Sequence, residues 1–330
     1  MIHARSIALR LRRAILPAAA AALLVPALSR AQATADAALP LDLFAYDRAA
    51  PLDLQDSVSG SEGAVTIHAI SFASPRGGRA TGRLFVPQGN GPFAGVVLMH
   101  GMPGNAEAFT GRGVYIARHG AVVIAIDAPW ARGGMRGLTL SPADSANQVQ
   151  LIVDLQRAVD VLLARRDVDP RRLAYVGRSY GGAMGALFAG VERRLKTYVL
   201  AVADGGLVSH STEGTSEDPP PGAPVEQWRR WLAAMKPIEP IRFVHRAAPA
   251  SIFFQSALHD RAVARDDAEA VQAAASEPKT IRWYDTDHPL NAQAYYDQLD
   301  WLHRTVGTTA PGPEDEPGPQ IPPPPVRPSN

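Results

Sequence analysis

Ser179 stands between two glycines, Gly177 and Gly181, each two residues away. The apolar run Leu173–Gly177 leads into it. Gly182, Ala183, Gly185 and Ala186 follow at helical length. A buried strand that turns at once into a helix raises the turn residue above the sheet edge. The residues two positions to either side must then be small, or they clash with the turn. The helix also points its first N–H groups at any negative charge near that serine. A serine hydroxyl is a weak nucleophile near neutral pH. It needs a base to take its proton and an acid to hold the base in place. The other reading of this stretch is a glycine-rich turn with a capping serine.

Candidates for both partners lie further along the chain. "SIFFQSALHD" ends an apolar strand and delivers Asp260 at its carboxyl edge, where sites lie in open α/β sheets. "IRWYDTDHPL" delivers His288 between the last strand and the last helix. The rivals are weaker. His259 is adjacent to Asp260, and neighbouring side chains diverge. His303 falls inside the last helix, and His245 precedes the acid. Asp204 follows an earlier strand and is the main rival for the acid. Asp285 and Asp287 sit too close to His288 in sequence and are read as shaping its loop.

The elements that must hold these residues alternate. "AVTIHAISF" (64–72) and "RATGRLFVP" (79–87) read as a hairpin turning at "SPRGG". "AGVVLMH" (94–100) and "AVVIAID" (121–127) are unbroken apolar runs, suited to parallel strands covered on both faces. A crossover helix is expected over 107–119, and a long amphipathic one over 145–167, with Leu151, Leu155, Val159, Leu162 and Leu163 on one face. Further strands are predicted at 197–203, 250–257 and 279–285, with helices at 262–275 and 292–306. The pattern is that of an α/β fold with a mostly parallel sheet of about eight strands and helices on both faces. The stretch 206–248 is long for a crossover. It reads as a proline-rich loop with two short helices, a short cap-like excursion.

The ends have their own character. Arg5, Arg10, Arg12 and Arg13 precede the apolar run 14–28 and the small-residue triplet "AQA" (31–33). This is the composition of an export signal cleaved after Ala33, so a periplasmic or secreted protein is expected. Arg12-Arg13-Ala14-Ile15-Leu16 weakly resembles a twin-arginine signal. The alternative, an uncleaved membrane anchor, fits less well, because the apolar run is short and broken by Pro17 and Pro26. Residues 34–63 read as an N-terminal extension, 64–307 as the catalytic domain and 308–330 as a proline-rich disordered tail. The chain has no cysteine, which excludes disulfides and thiolate catalysis. The net charge of +1 comes with scattered basic residues, so nucleic acid is a poor partner.

"DVDPRRLAYVGRSYGGAMG", "VVLMHGMPGN" and "IDAPWARGG" together resemble the α/β-hydrolase superfamily. Within it the chain is most similar to dienelactone-hydrolase-like and prolyl-oligopeptidase-like domains, over 64–307. The resemblance implies the chain order Ser179, Asp260, His288 for the catalytic residues. It also implies an oxyanion hole made by the backbone N–H groups of Tyr180 and Met102, the latter from the His100-Gly101 loop. His100 itself reads as a residue that holds this loop. Arg178, Trp130 and Arg132 are placed near the pocket as candidate substrate contacts. For Arg178 a structural role at the rim is the stronger reading. Trp228 and Trp231 form either an apolar wall or local core.

The expected activity is hydrolysis of a small-molecule carboxylic ester through an acyl-enzyme, with no cofactor or metal. Two other readings stay open. One is a peptidase or amidase of the prolyl-oligopeptidase kind, for whose β-propeller the about sixty residues between the expected signal and the strand at 94–100 leave no room. The other is a non-catalytic binding protein on the same scaffold.

Overall fold

A computed structural model describes residues 39–132, 134, 137–212, 217–312 and 315. The expected signal segment, 1–33, lies outside them, as does most of the tail. The compact body begins at Pro40.

Nine strands form one sheet in the order β1-β2-β3-β5-β4-β6-β7-β8-β9. They are β1 (Gln55–Glu62), β2 (Val65–Ala73), β3 (Arg79–Pro87), β4 (Phe93–Met99), β5 (Ala121–Ile126), β6 (Val168–Arg178), β7 (Thr197–Ala201), β8 (Ser251–Ala257) and β9 (Lys279–Tyr284). The first three are antiparallel, and β3 joins β5 antiparallel; every pairing from β5 to β9 is parallel. The hairpin pairs Val65 with Pro87 and Ala73 with Arg79, as its alternation predicts.

Three expectations need correction, while the sheet itself is of the mostly parallel kind expected, with "QDSVSGSE" as β1 at its edge. That strand is exposed along its whole length, so it carries no apolar alternation to read. The domain therefore starts well before residue 64. Phe44, in the 3-10 turn Leu41–Phe44, is buried edge-on against Phe243. The tail is not free from residue 308 onward. Thr308 is buried, the Thr309 N–H donates to the His119 carbonyl, and Asp315 meets His119 at 3.0 Å. The excursion holds more than two short helices, as its elements below show.

The helices are α1 (Thr110–Ala117), α2 (Pro129–Arg132), α3 (Ala143–Leu163), α4 (Tyr180–Val191), α5 (Leu207–Thr212), α6 (Val225–Met235), α7 (Arg265–Ala274) and α8 (Ala292–Val306). Strand side chains alternate between faces. Val96, Leu98, Val123, Val176 and Val199 pack with α1 and α8 into one core. On the opposite face Tyr175 meets Phe188 of α4, with ring centroids 5.4 Å apart. Gly185 of α4 has no room for a Cβ, which would fall 2.5 Å from both Leu200 and Tyr175. The small residues after Ser179 thus let the helix lie directly on the sheet.

The excursion packs onto this second face. It contains α5, α6 and three 3-10 turns, Lys236–Ile238, Pro240–Arg242 and Val244–Arg246. Trp228 and Trp231 stack at 4.8 Å and are buried. They are local core. Trp231 Nε1–H donates to Asp144 Oδ2 at 2.8 Å, and Gln148 Nε2 donates to the Ile238 carbonyl at 2.7 Å. Both bonds tie the excursion to α3.

Candidate active site

β6 ends at Arg178 and α4 begins at Tyr180, so Ser179 is the whole connection. It has φ 55° and ψ −120°. A non-glycine residue at positive φ is strained, and such strain persists only where surrounding structure enforces it. Here the Ser179 N–H donates to the Ala201 carbonyl at 2.8 Å, and its own carbonyl accepts from Ala183 at 2.9 Å. The glycine spacing has a direct steric cause. A Cβ on Gly177 would lie 2.2 Å from the Gly181 carbonyl oxygen, and one on Gly181 would lie 2.4 Å from the Met99 oxygen.

His288 Nε2 lies 3.0 Å from Ser179 Oγ. Its Nδ1–H donates to Asp260, 2.9 Å from Oδ1 and 2.8 Å from Oδ2. That bond selects the tautomer whose Nε2 lone pair faces the serine. Asp260 Oδ1 also accepts from the Ala262 and Val263 N–H groups, at 2.8 and 2.9 Å. The carboxylate is thereby aimed from two sides. The structure brings together the three side chains that the sequence placed at three separate strand ends.

The rivals are engaged elsewhere. Asp204 Oδ2 pairs with His210 Nδ1 at 2.9 Å, and its Oδ1 accepts from the Gly206 N–H at 3.1 Å. His259 pairs with Asp285 at 2.7 Å on the surface. His303 is hydrogen-bonded to the Thr308 carbonyl, and His245 lies in the turn Val244–Arg246.

The loop after β4 crosses the elbow closely. A Cβ on Gly101 would fall 3.2 Å from Ser179 Cβ, so the backbone that leads into Met102 passes against the serine. His100 holds that loop, as its sequence position predicts. Its Nδ1–H donates to the Gly101 carbonyl at 2.8 Å, and its Nε2 accepts from the Ala128 N–H at 3.1 Å. Burial lowers its pKa to about 4, so the ring is neutral and can fill both roles. Asp127, which the sequence offered only as a strand end, anchors the far side of the loop. Its Oδ1 accepts from Ala106 and its Oδ2 from Thr81.

Two candidate substrate contacts are engaged in packing and in backbone support. Trp130 is 3% exposed and sits edge-on to both His100 and Tyr180, at 5.4 and 5.6 Å. It is a packed wall behind the loop. Arg178 turns inward, and its Nη2 donates to the His288 carbonyl at 3.1 Å. It steadies the backbone of the histidine from below. Arg132 is likewise structural. It donates to the Asp127 carbonyl and pairs with the buried Asp154 at 2.7 Å. Sequence reasoning missed Arg112, buried on α1 near Arg178, because a lone arginine in a helix reads as a surface residue.

The chain belongs to the prolyl oligopeptidase family, whose model matches residues 108–304. It is 25% identical over 221 residues to the uncharacterized protein YfhR of Escherichia coli K12, spanning 64% of this chain and 69% of that one. Among solved structures it is similar to an acetyl xylan esterase from Paenibacillus sp. R4. The TM-score is 0.64 at 21% identity, over 78% of this chain and 90% of that one. It is also similar to acetyl xylan esterase 1 from Thermoanaerobacterium sp. JW/SL YS485, with TM-score 0.64 at 17% identity over 82% and 92%. The fold is that of the α/β-hydrolases, and the protein is a serine hydrolase. Among the described residues no helix is long and apolar enough to cross a membrane, and no group of acidic, histidine or cysteine side chains is arranged to hold a metal.

Proposed function

We propose that the protein cleaves small carboxylic esters through an acyl-enzyme on Ser179. The observation that carries this reading is the continuous chain Ser179–His288–Asp260, with links of 3.0 and 2.8 Å. Ser179 Oγ attacks the acyl carbon as His288 Nε2 takes its proton. Asp260 stabilises the imidazolium that forms. The negative charge on the carbonyl oxygen develops beside the Tyr180 N–H, which opens α4, and the Met102 N–H. The tetrahedral intermediate collapses, and the alcohol leaves with the proton from His288. Water, deprotonated by the same nitrogen, then attacks the acyl carbon. The acid departs and the proton returns to Ser179.

The peptidase reading draws on the family itself. A peptidase that reads a free amino terminus needs an available carboxylate. Two buried ones that follow β7 are committed. Asp204 is bound to His210, and Glu239 accepts from the Val208 and Ser209 N–H groups. The solved structures named above are described as esterases, which supports the ester reading. The export signal at 1–33 belongs to the same proposal, and N-terminal sequencing of the mature protein is expected to begin at Thr34.

The deciding measurement screens p-nitrophenyl esters from acetate to decanoate beside an aminoacyl-proline anilide, with Ser179→Ala in parallel. Ester turnover that vanishes in the variant is the expected result. Anilide turnover without ester turnover would move the protein to the peptidases. No turnover of either, with no fluorophosphonate labelling of Ser179, would leave a binding scaffold.

A further inference from the structure

Below the elbow, on the sheet face covered by α1 and α8, two arginines are buried together. Arg112 is 5% exposed and Arg178 is 8% exposed. Both line one small cavity, with Leu98, Phe109, Tyr295 and Gln298, that has room for a single small occupant. The Arg112 guanidinium lies over the Tyr295 ring, 3.6 Å from its centroid. Its Nη1 is fully buried with no hydrogen-bond partner, and so is Nε of Arg178. The carboxylate that acts on Arg178 is Asp260, which already serves His288 and two N–H groups. Burial lowers the Arg112 pKa only to about 10, so it stays charged at neutral pH. Two like charges in apolar surroundings, with donors left over, are costly unless an anion meets them.

We propose that this cavity is a binding site for one small monovalent inorganic anion of the size of chloride, held between Arg112 Nη1 and Arg178 Nε. The lining is apolar apart from the two guanidinium groups, Tyr295 and Gln298, which suits a spherical ion better than a carboxylate. The anion would also act on the reaction, a consequence that rests on the esterase reading above. Arg178 holds the His288 carbonyl, and its positive charge opposes the imidazolium that His288 becomes. A bound anion cancels that charge and leaves the hydrogen bond in place.

Binding is tested without reference to activity. The whole protein is unfolded thermally in sodium chloride, bromide and gluconate at equal ionic strength. Saturating chloride or bromide is expected to raise Tm by about 2–4 °C over gluconate, which is too large for the cavity. Arg112→Met is expected to abolish the difference. Crystals of the unaltered protein in bromide are expected to show an anomalous peak between Arg112 and Arg178, a readout that needs no variant to fold. Water at that position, or a Tm indifferent to the anion, would overturn the site. Ester turnover is expected to be roughly threefold faster in chloride than in gluconate. A bromide peak with no change in turnover would overturn the link to His288 alone. Absence of turnover in every salt would tell against the esterase reading and leave the binding result standing.

Discussion

Two aspartate–histidine pairs stand at the ends of neighbouring strands. Asp260 follows β8 and meets His288 at 2.8 Å; Asp204 follows β7 and meets His210 at 2.9 Å. The pairs match in distance and in the ring nitrogen used, and they differ in surroundings. The His288 side chain is 8% exposed, whereas that of His210 is 38% exposed. Asp260 is oriented by two N–H groups of its own loop, and the far nitrogen of His288 faces a strained serine. His210 sits on the six-residue helix α5, whose Val208 and Ser209 N–H groups are held by Glu239. An aspartate–histidine pair is therefore common structural material. The proposed catalysis rests on the fixed geometry that His288 has on both sides of its ring.

The comparison breaks most sharply at the serine. Ser179→Ala is expected to lower kcat for a p-nitrophenyl ester by at least about 10⁴-fold while the far-ultraviolet circular dichroism stays unchanged. The two acids separate next. Asp260→Asn should cost roughly 10³–10⁴-fold in kcat, because the wrong tautomer of His288 then faces the serine, whereas Asp204→Asn should cost less than about threefold. Equal losses in a side-by-side assay would mean that the two pairs are not distinct in role. Within the elbow, Gly181→Ala drives a Cβ to 2.4 Å from the Met99 oxygen and should destabilise by about 3 kcal/mol in urea unfolding.

The smallest effect is a contrast in pH. Burial raises the Glu239 pKa from 4.5 to about 7. Between those values the folded chain holds a proton that the unfolded chain has released. Stability from this group is thus present in acid and is lost as pH rises through about 7, on the order of 3 kcal/mol in all. His100 runs the other way. With its pKa lowered to about 4 from 6.5, its contribution is present above about 6.5 and is lost as pH falls toward 4. Urea unfolding of Glu239→Gln across pH 4 to 8 should keep the acid-side fall and lose the decline toward neutral pH. A variant with the same profile as the native protein would show that Glu239 is not the group responsible.

Much of the site was legible because its signals are local. Gly177 and Gly181 are required by contacts within and beside a single turn, Asp260 follows the apolar strand β8, and His288 lies between the last strand and the last helix. Strand β1 was not legible, since polar residues on an exposed edge leave no period to detect. Nor was the inward turn of Arg178. An arginine beside a nucleophile reads as a rim residue until the cavity lined by α1 and α8 is seen beneath it.

The sequence by itself determined the alternation of strands and helices and the sharp turn at Ser179. These follow from apolar periodicity and short-range sterics, which a few consecutive residues carry. Only the tertiary structure decided which aspartate meets which histidine. Asp260 and His288 are 28 positions apart, and Ser179 and His288 are 109 apart. Contacts over such separations depend on how the strands line up and how the helices seat on the sheet. That is a property of the whole packed core, and no local stretch of residues encodes it.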